Sequence, residues 1–160
     1  MIKLIKGFKY RLDLKFKMWW HQKLGRIAYE DSGIYINLPR KWVAHELSGR
    51  YVCSKGHAKQ NGLLFFLVDS YLTPGVKPLE DIAETNKISI DELGVKTEVE
   101  ITRDGQFNYH MIPSNESNKT TDVWQTDTQT HKITFKYYAS AEARMREMED
   151  VRKIINTLVK

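Results

Sequence analysis

A cysteine and a histidine are spaced closely enough in this sequence to suggest nucleophilic chemistry. Cys53 and His57 lie four residues apart in "CSKGH", so a thiolate and an imidazole could meet across a turn, and a reactive cysteine needs such a base or a positive charge nearby. No further residue in the sequence completes a triad. The pattern therefore favours a strand cysteine beside an exposed turn histidine.

The other groups that could hold a metal or act as acid and base are dispersed. The five histidines are isolated, with no paired Cys or His at ligand spacing. The acidic residues fall mainly in predicted helices and on the solvent side of "VKTEVEI", which is typical of a solvated surface. The nine glycines stand singly at turns and form no phosphate-binding loop. We predict no catalytic residue, no metal, no cofactor and no enzymatic activity.

A basic, aromatic segment at the N-terminus is the strongest candidate for contact with a partner. Residues 1–27 contain eight basic residues and one acidic residue, a net charge of +7, whereas the rest of the chain has a net charge of −2. Such asymmetry indicates an anionic partner for this arm, because lysines beside Phe and Trp can bind anionic lipid and insert aromatic rings shallowly. The candidate binding residues are Lys15, Phe16, Lys17, Trp19, Trp20 and Trp42.

The same segment also fits a strand. In "KYRLDLKFKMWW", apolar and charged residues alternate at a period of two from Lys9 to Met18, and lysines on an exposed strand face prevent pairing between molecules. Trp19 and Trp20 would point to opposite faces, so one of them should face outward and contact a partner. Nucleic acid is disfavoured as that partner, because the rest of the chain is mildly acidic and has no nucleic-acid-binding motif.

Length and composition are those of one globular domain. The chain has 160 residues, 41% of them hydrophobic and 28% charged. A single cysteine excludes an internal disulfide and agrees with a reducing compartment. Lysines interrupt the apolar run that a secretory signal needs, and "LLFFLV" is too short to span a bilayer. We expect a cytoplasmic protein with an arm, residues 1–28, and a single domain, residues 29–160.

Strands make up most of the predicted domain. "IYINL", "RYVC" and "LLFFLVD" are predicted to form an antiparallel meander. "VKTEVEI" and "QFNYHMI" flank "RDG", whose Asp-Gly pair suits a tight hairpin. "VWQTD" and "HKITFKYY" are predicted to be two more strands, with Ile133, Phe135 and Tyr137 on one face.

Two helices complete the prediction. "PLEDIAETNKISIDEL" is predicted to be a mid-chain helix with Leu79, Ile82, Ala83 and Ile90 on one face. A terminal helix is predicted to begin after a Ser140 cap, and its apolar positions are Met145, Met148, Val151, Ile155 and Leu158. The predicted fold class is α+β, an antiparallel sheet of six or seven strands with both helices packed on it.

Three segments resemble a known family. "IYINLPRKW" from Ile34 to Trp42, "LTPGVKPLEDIAE" from Leu72 to Glu84, and "KITFKYYASAEA" before the last helix are similar to the pattern of the Mog1/PsbP-like fold. This family includes the effector-associated chaperones of bacterial type VI secretion. The resemblance covers residues 29–160 and implies a binding module without a common active site. Residues 1–27 have no counterpart in it.

The functional hypothesis is therefore a non-catalytic protein-binding module, a chaperone or adaptor for another protein, with the link to bacterial secretion that the resemblance implies. Two alternatives stay open. One is an immunity protein that binds a toxin, and the other is a peripheral membrane protein anchored to an anionic surface through residues 1–27. Association of two copies into a homodimer is also left open.

Overall fold

The domain combines an antiparallel sheet with a C-terminal helix. The computed structural model describes residues 25–29, 32–56, 60–79, 87–92, 95–114, 116 and 118–160. Within these ranges, the strands are β1 Arg26–Tyr29, β2 Ile34–Asn37, β3 Trp42–Leu47, β4 Arg50–Lys55, β5 Leu63–Ser70, β6 Lys87–Glu92, β7 Val95–Glu100, β8 Thr102–Asp104, β9 Phe107–Pro113, β10 Lys119–Asp127 and β11 His131–Ser140, and the helix is α1 Ala141–Asn156. The sequence-based α+β prediction is confirmed.

Seven of the described strands form one antiparallel sheet in the order β3-β4-β5-β11-β10-β9-β8, and β1–β2 and β6–β7 form two separate ribbons. We call the face packed against α1 the inner face and the opposite one the outer face. The predicted row Ile133, Phe135 and Tyr137 lies on the inner face and is fully buried. Phe66 of β5 stacks on Phe135 with ring centroids 5.0 Å apart. The hydrophobic core therefore lies between this face and α1.

The β1–β2 ribbon packs on the inner face beside the helix. Tyr29 Oη donates a hydrogen bond to the Phe66 carbonyl at 2.8 Å, and Ile27 is buried in the core. At the other end, the backbones of Tyr35 and Val159 exchange two hydrogen bonds of 3.1 and 2.9 Å. The predicted boundary at residue 28 falls within β1, and the predicted strand up to Met18 lies outside the described residues. The division into arm and domain stays a prediction.

The C-terminal helix begins as predicted but buries a different set of side chains. Ser140 Oγ accepts a hydrogen bond from Ala143 N at 3.2 Å and caps the helix. The prediction that Met145 faces the core is wrong, because its side chain is 87% exposed. Glu147 is buried instead, on the same stripe as Ala143 and Val151. The periodicity of apolar residues could not show this, because the hydrogen-bond donors to the Glu147 carboxylate come from outside the helix, from Tyr137 Oη of β11 and the Gly62 N–H just before β5.

The predicted mid-chain helix is wrong where the structure describes that segment. Residues 87–92 form β6, which pairs antiparallel with β7, and Ile90 lies opposite Thr97. "KISIDE" alternates apolar and polar residues, and its isoleucines are β-branched, so it suits a strand whose partner follows at once. Residues 80–86 lie outside the described part of the chain.

The predicted Asp-Gly hairpin is confirmed, with a shorter first strand than expected. Asp104 lies opposite Phe107 across a two-residue turn in which Gly105 has a φ of +60°. Most of "VKTEVEI" belongs to β7 and pairs with β6, so only residues 102–104 pair with β9. The segment is a strand, as its alternating pattern predicted, but it pairs with the preceding strand, β6.

Candidate binding site

A pocket on the outer face is a candidate binding site. It lies where β9, β10 and β11 meet β6 and the segment after β5, and its volume is about 290 Å³. The residues that line it are Lys77, Pro78, Leu79, Ile90, Ile101, Asn108, His110, Ile112, Val123, Gln125, Lys132 and Lys136. We call it the basic pocket, because three of these residues are lysines and none is acidic.

The sheet register explains how the strands bring these side chains together. Val123 of β10 lies opposite His110 of β9 on one side and opposite Lys136 of β11 on the other. In the next outer-face row, Gln125 lies opposite Asn108. Directly opposite residues in antiparallel strands have neighbouring side chains on the same face. The floor of the pocket is therefore an ordered row of apolar, polar and cationic groups on adjacent strands.

His110 is the most strongly perturbed group in the pocket. Its side chain is 4% exposed, and Nδ1 is buried without a hydrogen-bond partner in the described part of the chain. Burial, helped by the charge of Lys136, lowers the pKa of His110 from 6.5 to about 4. The imidazole is therefore neutral near pH 7. Since a buried N–H without an acceptor is rarer than an unpaired acceptor, we expect the proton on Nε2.

The lowered pKa of His110 predicts a stability that depends on pH. An unfolded histidine with a pKa near 6.5 takes up a proton before the folded one does, so stability falls as the pH drops below 6.5 and the loss is complete below pH 4. The expected decrease in unfolding free energy between pH 7 and pH 5 from this group is about 2 kcal/mol. Urea denaturation at both pH values would measure it.

The variant His110→Gln should remove this part of the pH dependence. His45→Gln, which changes a histidine outside the basic pocket, is the matched control and should retain it. An identical decrease in stability between pH 7 and pH 5 for the wild type and His110→Gln would show that His110 does not titrate at a lowered pKa.

A second, larger cavity lies at one end of the sheet, and we call it the groove. Its volume is about 740 Å³. The lining residues are Ser54, Gly56, Gln60, Asn61, Leu63, Lys119, Tyr138, Ala139, Ser140 and Glu142. Leu63 is 39% exposed, and Lys119 Nζ lies 5.2 Å from the centroid of the Tyr138 ring. The groove thus combines an exposed aliphatic side chain and an aromatic ring with polar groups.

Trp42 is the only sequence-predicted binding residue within the described part of the chain. It is 5% exposed and belongs to the hydrophobic core, which leaves little of the indole for a partner to contact. The pKa of the Asp150 carboxyl is lowered, chiefly by Lys55, whose Nζ lies 2.7 Å from Asp150 Oδ2. The Trp42 N–H also contributes to this shift, although Nε1 has no hydrogen bond of normal geometry.

The other five candidates lie outside the described residues, and their role stays a prediction: Lys15, Phe16, Lys17, Trp19 and Trp20. The basic pocket was not predicted from the sequence. A signal was present in "HKITFKYY", where Lys132 and Lys136 occupy the polar face of a strand whose other face is apolar. A strand with one solvated face has the same pattern, so this signal alone could not identify a pocket.

Neither cysteine chemistry nor a metal cluster is found in the described residues. Cys53 is fully buried, and burial raises the pKa of its thiol to about 12, so it is protonated near neutral pH. His57, its suggested partner, lies outside the described residues. Across the described ranges, no three potential metal ligands cluster. In the same part of the chain, no helix has the length and apolar character needed to cross a membrane.

The fold is PsbP/Mog1-like, as the sequence resemblance predicted. A crystal structure from Bacteroides thetaiotaomicron VPI-5482 matches 84% of this chain with a TM-score of 0.50 and 11% identity, and this chain covers 47% of that protein, about half its length. The solution structure of PsbP (CyanoP) from Synechocystis sp. PCC 6803 matches 84% of this chain and 90% of its own, with a TM-score of 0.51 and 11% identity. No protein-family model and no curated protein matches the sequence significantly.

Proposed function

We propose that this protein is a non-catalytic module that binds another protein through the groove, as an adaptor or chaperone. The observation that carries the proposal is the exposure of Leu63 beside Tyr138 in a cavity of about 740 Å³. Aromatic and aliphatic anchors surrounded by polar residues are typical of protein interfaces. The PsbP-like fold of the chain is consistent with a non-catalytic module.

The arrangement of titratable groups supports a binding role over a catalytic one. Acid–base catalysis requires an acid and a base that converge on one cavity. In the basic pocket, the described lining residues include no carboxylate, thiol or hydroxyl group beside His110. The buried carboxylates of Asp122 and Glu147 lie on the opposite side of the sheet, where each is held by hydrogen bonds to its neighbours.

The finer roles are also part of the proposal. A chaperone in bacterial secretion and an immunity protein would both use the groove and would differ in the partner that occupies it. A cytoplasmic location agrees with the single, buried cysteine. A membrane-anchored role would depend on the basic residues 1–27, which lie almost entirely outside the described part of the chain. The protein-binding role is favoured because the groove presents the exposed side chain of Leu63 beside Tyr138.

Replacing Leu63 by glutamate is expected to weaken partner binding strongly. Leu63 is 39% exposed at the start of β5, so a charged side chain there can reach solvent without disturbing the core. A buried, unpaired carboxylate at the interface should weaken binding by at least about tenfold. The measurement is quantitative capture from the native host with the wild type and Leu63→Glu, followed by titration of the purified partner.

The control is Leu72→Glu, which introduces the same charge at a leucine that is 94% exposed and does not line the groove. It should bind the partner as the wild type does. Equal binding by Leu63→Glu and Leu72→Glu would exclude the groove as the interface. The absence of any stoichiometric protein partner for the wild type would contradict the proposed function itself.

A further inference from the structure

We propose that the basic pocket binds a small organic anion, a molecule with one negative headgroup on an apolar body. The charge of the described lining indicates the headgroup, because it includes Lys77, Lys132 and Lys136 and no acidic residue. None of these lysines forms an ion pair with a described residue. Asp69 of β5 and Asp127 of β10 lie opposite Lys132 in the strand register, so they offset part of that one charge.

The apolar half of the lining indicates the body of the ligand. Ile101, Ile112 and Val123 are at most 8% exposed and contribute aliphatic surface on the sheet side, and Ile90 and Leu79 complete it. A volume of about 290 Å³ lies at the small end of the range for ligand sites. It suits a free small molecule better than a protein surface, whose contacts are spread over a much larger area.

His110 adds a neutral polar side chain to the lining of the pocket. It is a buried side chain, and its Nδ1 has no hydrogen-bond partner among the described residues. With the proton on Nε2, the ring has one N–H donor, on the nitrogen other than the buried Nδ1. Lys136 lies across Val123 from His110. A headgroup above Val123 could therefore accept a hydrogen bond from His110 and form an ion pair with Lys136.

The test is a titration of the full chain at pH 7 with octanoate, octanamide and inorganic phosphate, followed by NMR. Octanoate carries both the charge and the apolar chain, octanamide the chain without the charge, and phosphate the charge without the chain. Octanoate should shift the signals of Ile101, Ile112 and Val123 with a Kd of about 0.1–1 mM. Octanamide and phosphate should each bind at least about tenfold more weakly.

Two variants localise the charge that is recognised. Lys136→Gln should weaken octanoate binding by about fivefold or more, since it removes the cation nearest to His110 in the register. Lys41→Gln, at an exposed lysine outside the pocket, should change binding by less than about twofold.

Each contrary outcome overturns the proposal in a defined way. Equal affinities for octanoate and octanamide would mean apolar binding without recognition of charge. Phosphate that binds as tightly as octanoate would leave only an inorganic anion site, and shifts confined to other residues would exclude the pocket. These ligand comparisons use the wild-type chain and hold even if a variant does not fold. The groove plays no part in them, so the result is independent of the proposed protein-binding function.

Discussion

Replacing Gly62 by alanine is expected to lower the free energy of unfolding by about 3 kcal/mol. A Cβ atom at this position would lie closer than 3.0 Å to three atoms of the Tyr137 side chain, which is fully buried and has little room to move. The Gly62 N–H also donates a hydrogen bond to Glu147 Oε2 at 3.1 Å. Displacement of the backbone to relieve the clash would therefore weaken a buried hydrogen bond as well. Urea denaturation measures the change.

Gly105→Ala separates this steric effect from backbone strain. Gly105 has a φ of +60°, and a Cβ atom there would meet nothing within 4 Å, so alanine should cost about 1 kcal/mol through strain alone. The double variant Gly62→Ala with Tyr137→Leu should be less destabilised than the sum of the two single variants, because removing the ring relieves the clash. Equal destabilisation by Gly62→Ala and Gly105→Ala would show that the Tyr137 ring does not pack against this backbone.

Replacing Arg144 by methionine is expected to destabilise the protein by about 2–3 kcal/mol. The Asp122 side chain is fully buried and accepts hydrogen bonds from Arg144 Nε at 2.9 Å and Nη2 at 3.0 Å. Tyr109 Oη donates a third at 2.6 Å, and burial together with this bond raises the pKa of Tyr109 to about 12. The variant leaves a buried carboxylate without its cation. We expect a smaller loss of stability than for a fully buried ion pair, because the Arg144 side chain is 37% exposed and water can partly take its place beside Asp122.

Arg152→Met is the matched control on the same helix. Arg152 is 54% exposed and lies 3.7 Å from a half-exposed Asp104, so its removal should change stability by less than about 1 kcal/mol. The double variant Asp122→Asn with Arg144→Met should regain part of the loss, because it removes the uncompensated charge as well. Chemical denaturation of the variants decides the matter, and equal stabilities of Arg144→Met and Arg152→Met would mean that the Asp122 charge needs no partner.

The candidate site could be predicted from the sequence only in part. The alternation in "HKITFKYY" places Lys132 and Lys136 on the face opposite the buried aromatic residues, and this is what the structure has. Whether these lysines lie near His110 depends on the register of β9, β10 and β11. Whether the pocket is covered depends on where β6 folds back. Neither follows from local pattern, because residues 110 and 136 are brought together by pairing through β10.

The sequence by itself determined the α+β class, the alternating strand "HKITFKYY", the Asp-Gly hairpin and the Ser140 cap, because each depends on residues close together in the chain. Only the tertiary structure decided that β6 is a strand, that Glu147 replaces Met145 on the buried face of α1, and that Trp42 is part of the core. The last two outcomes depend on partners distant in sequence, whereas β6 pairs with β7, which follows it at once. Glu147 can be buried only because Tyr137 and Gly62 donate hydrogen bonds to it across the interface between sheet and helix.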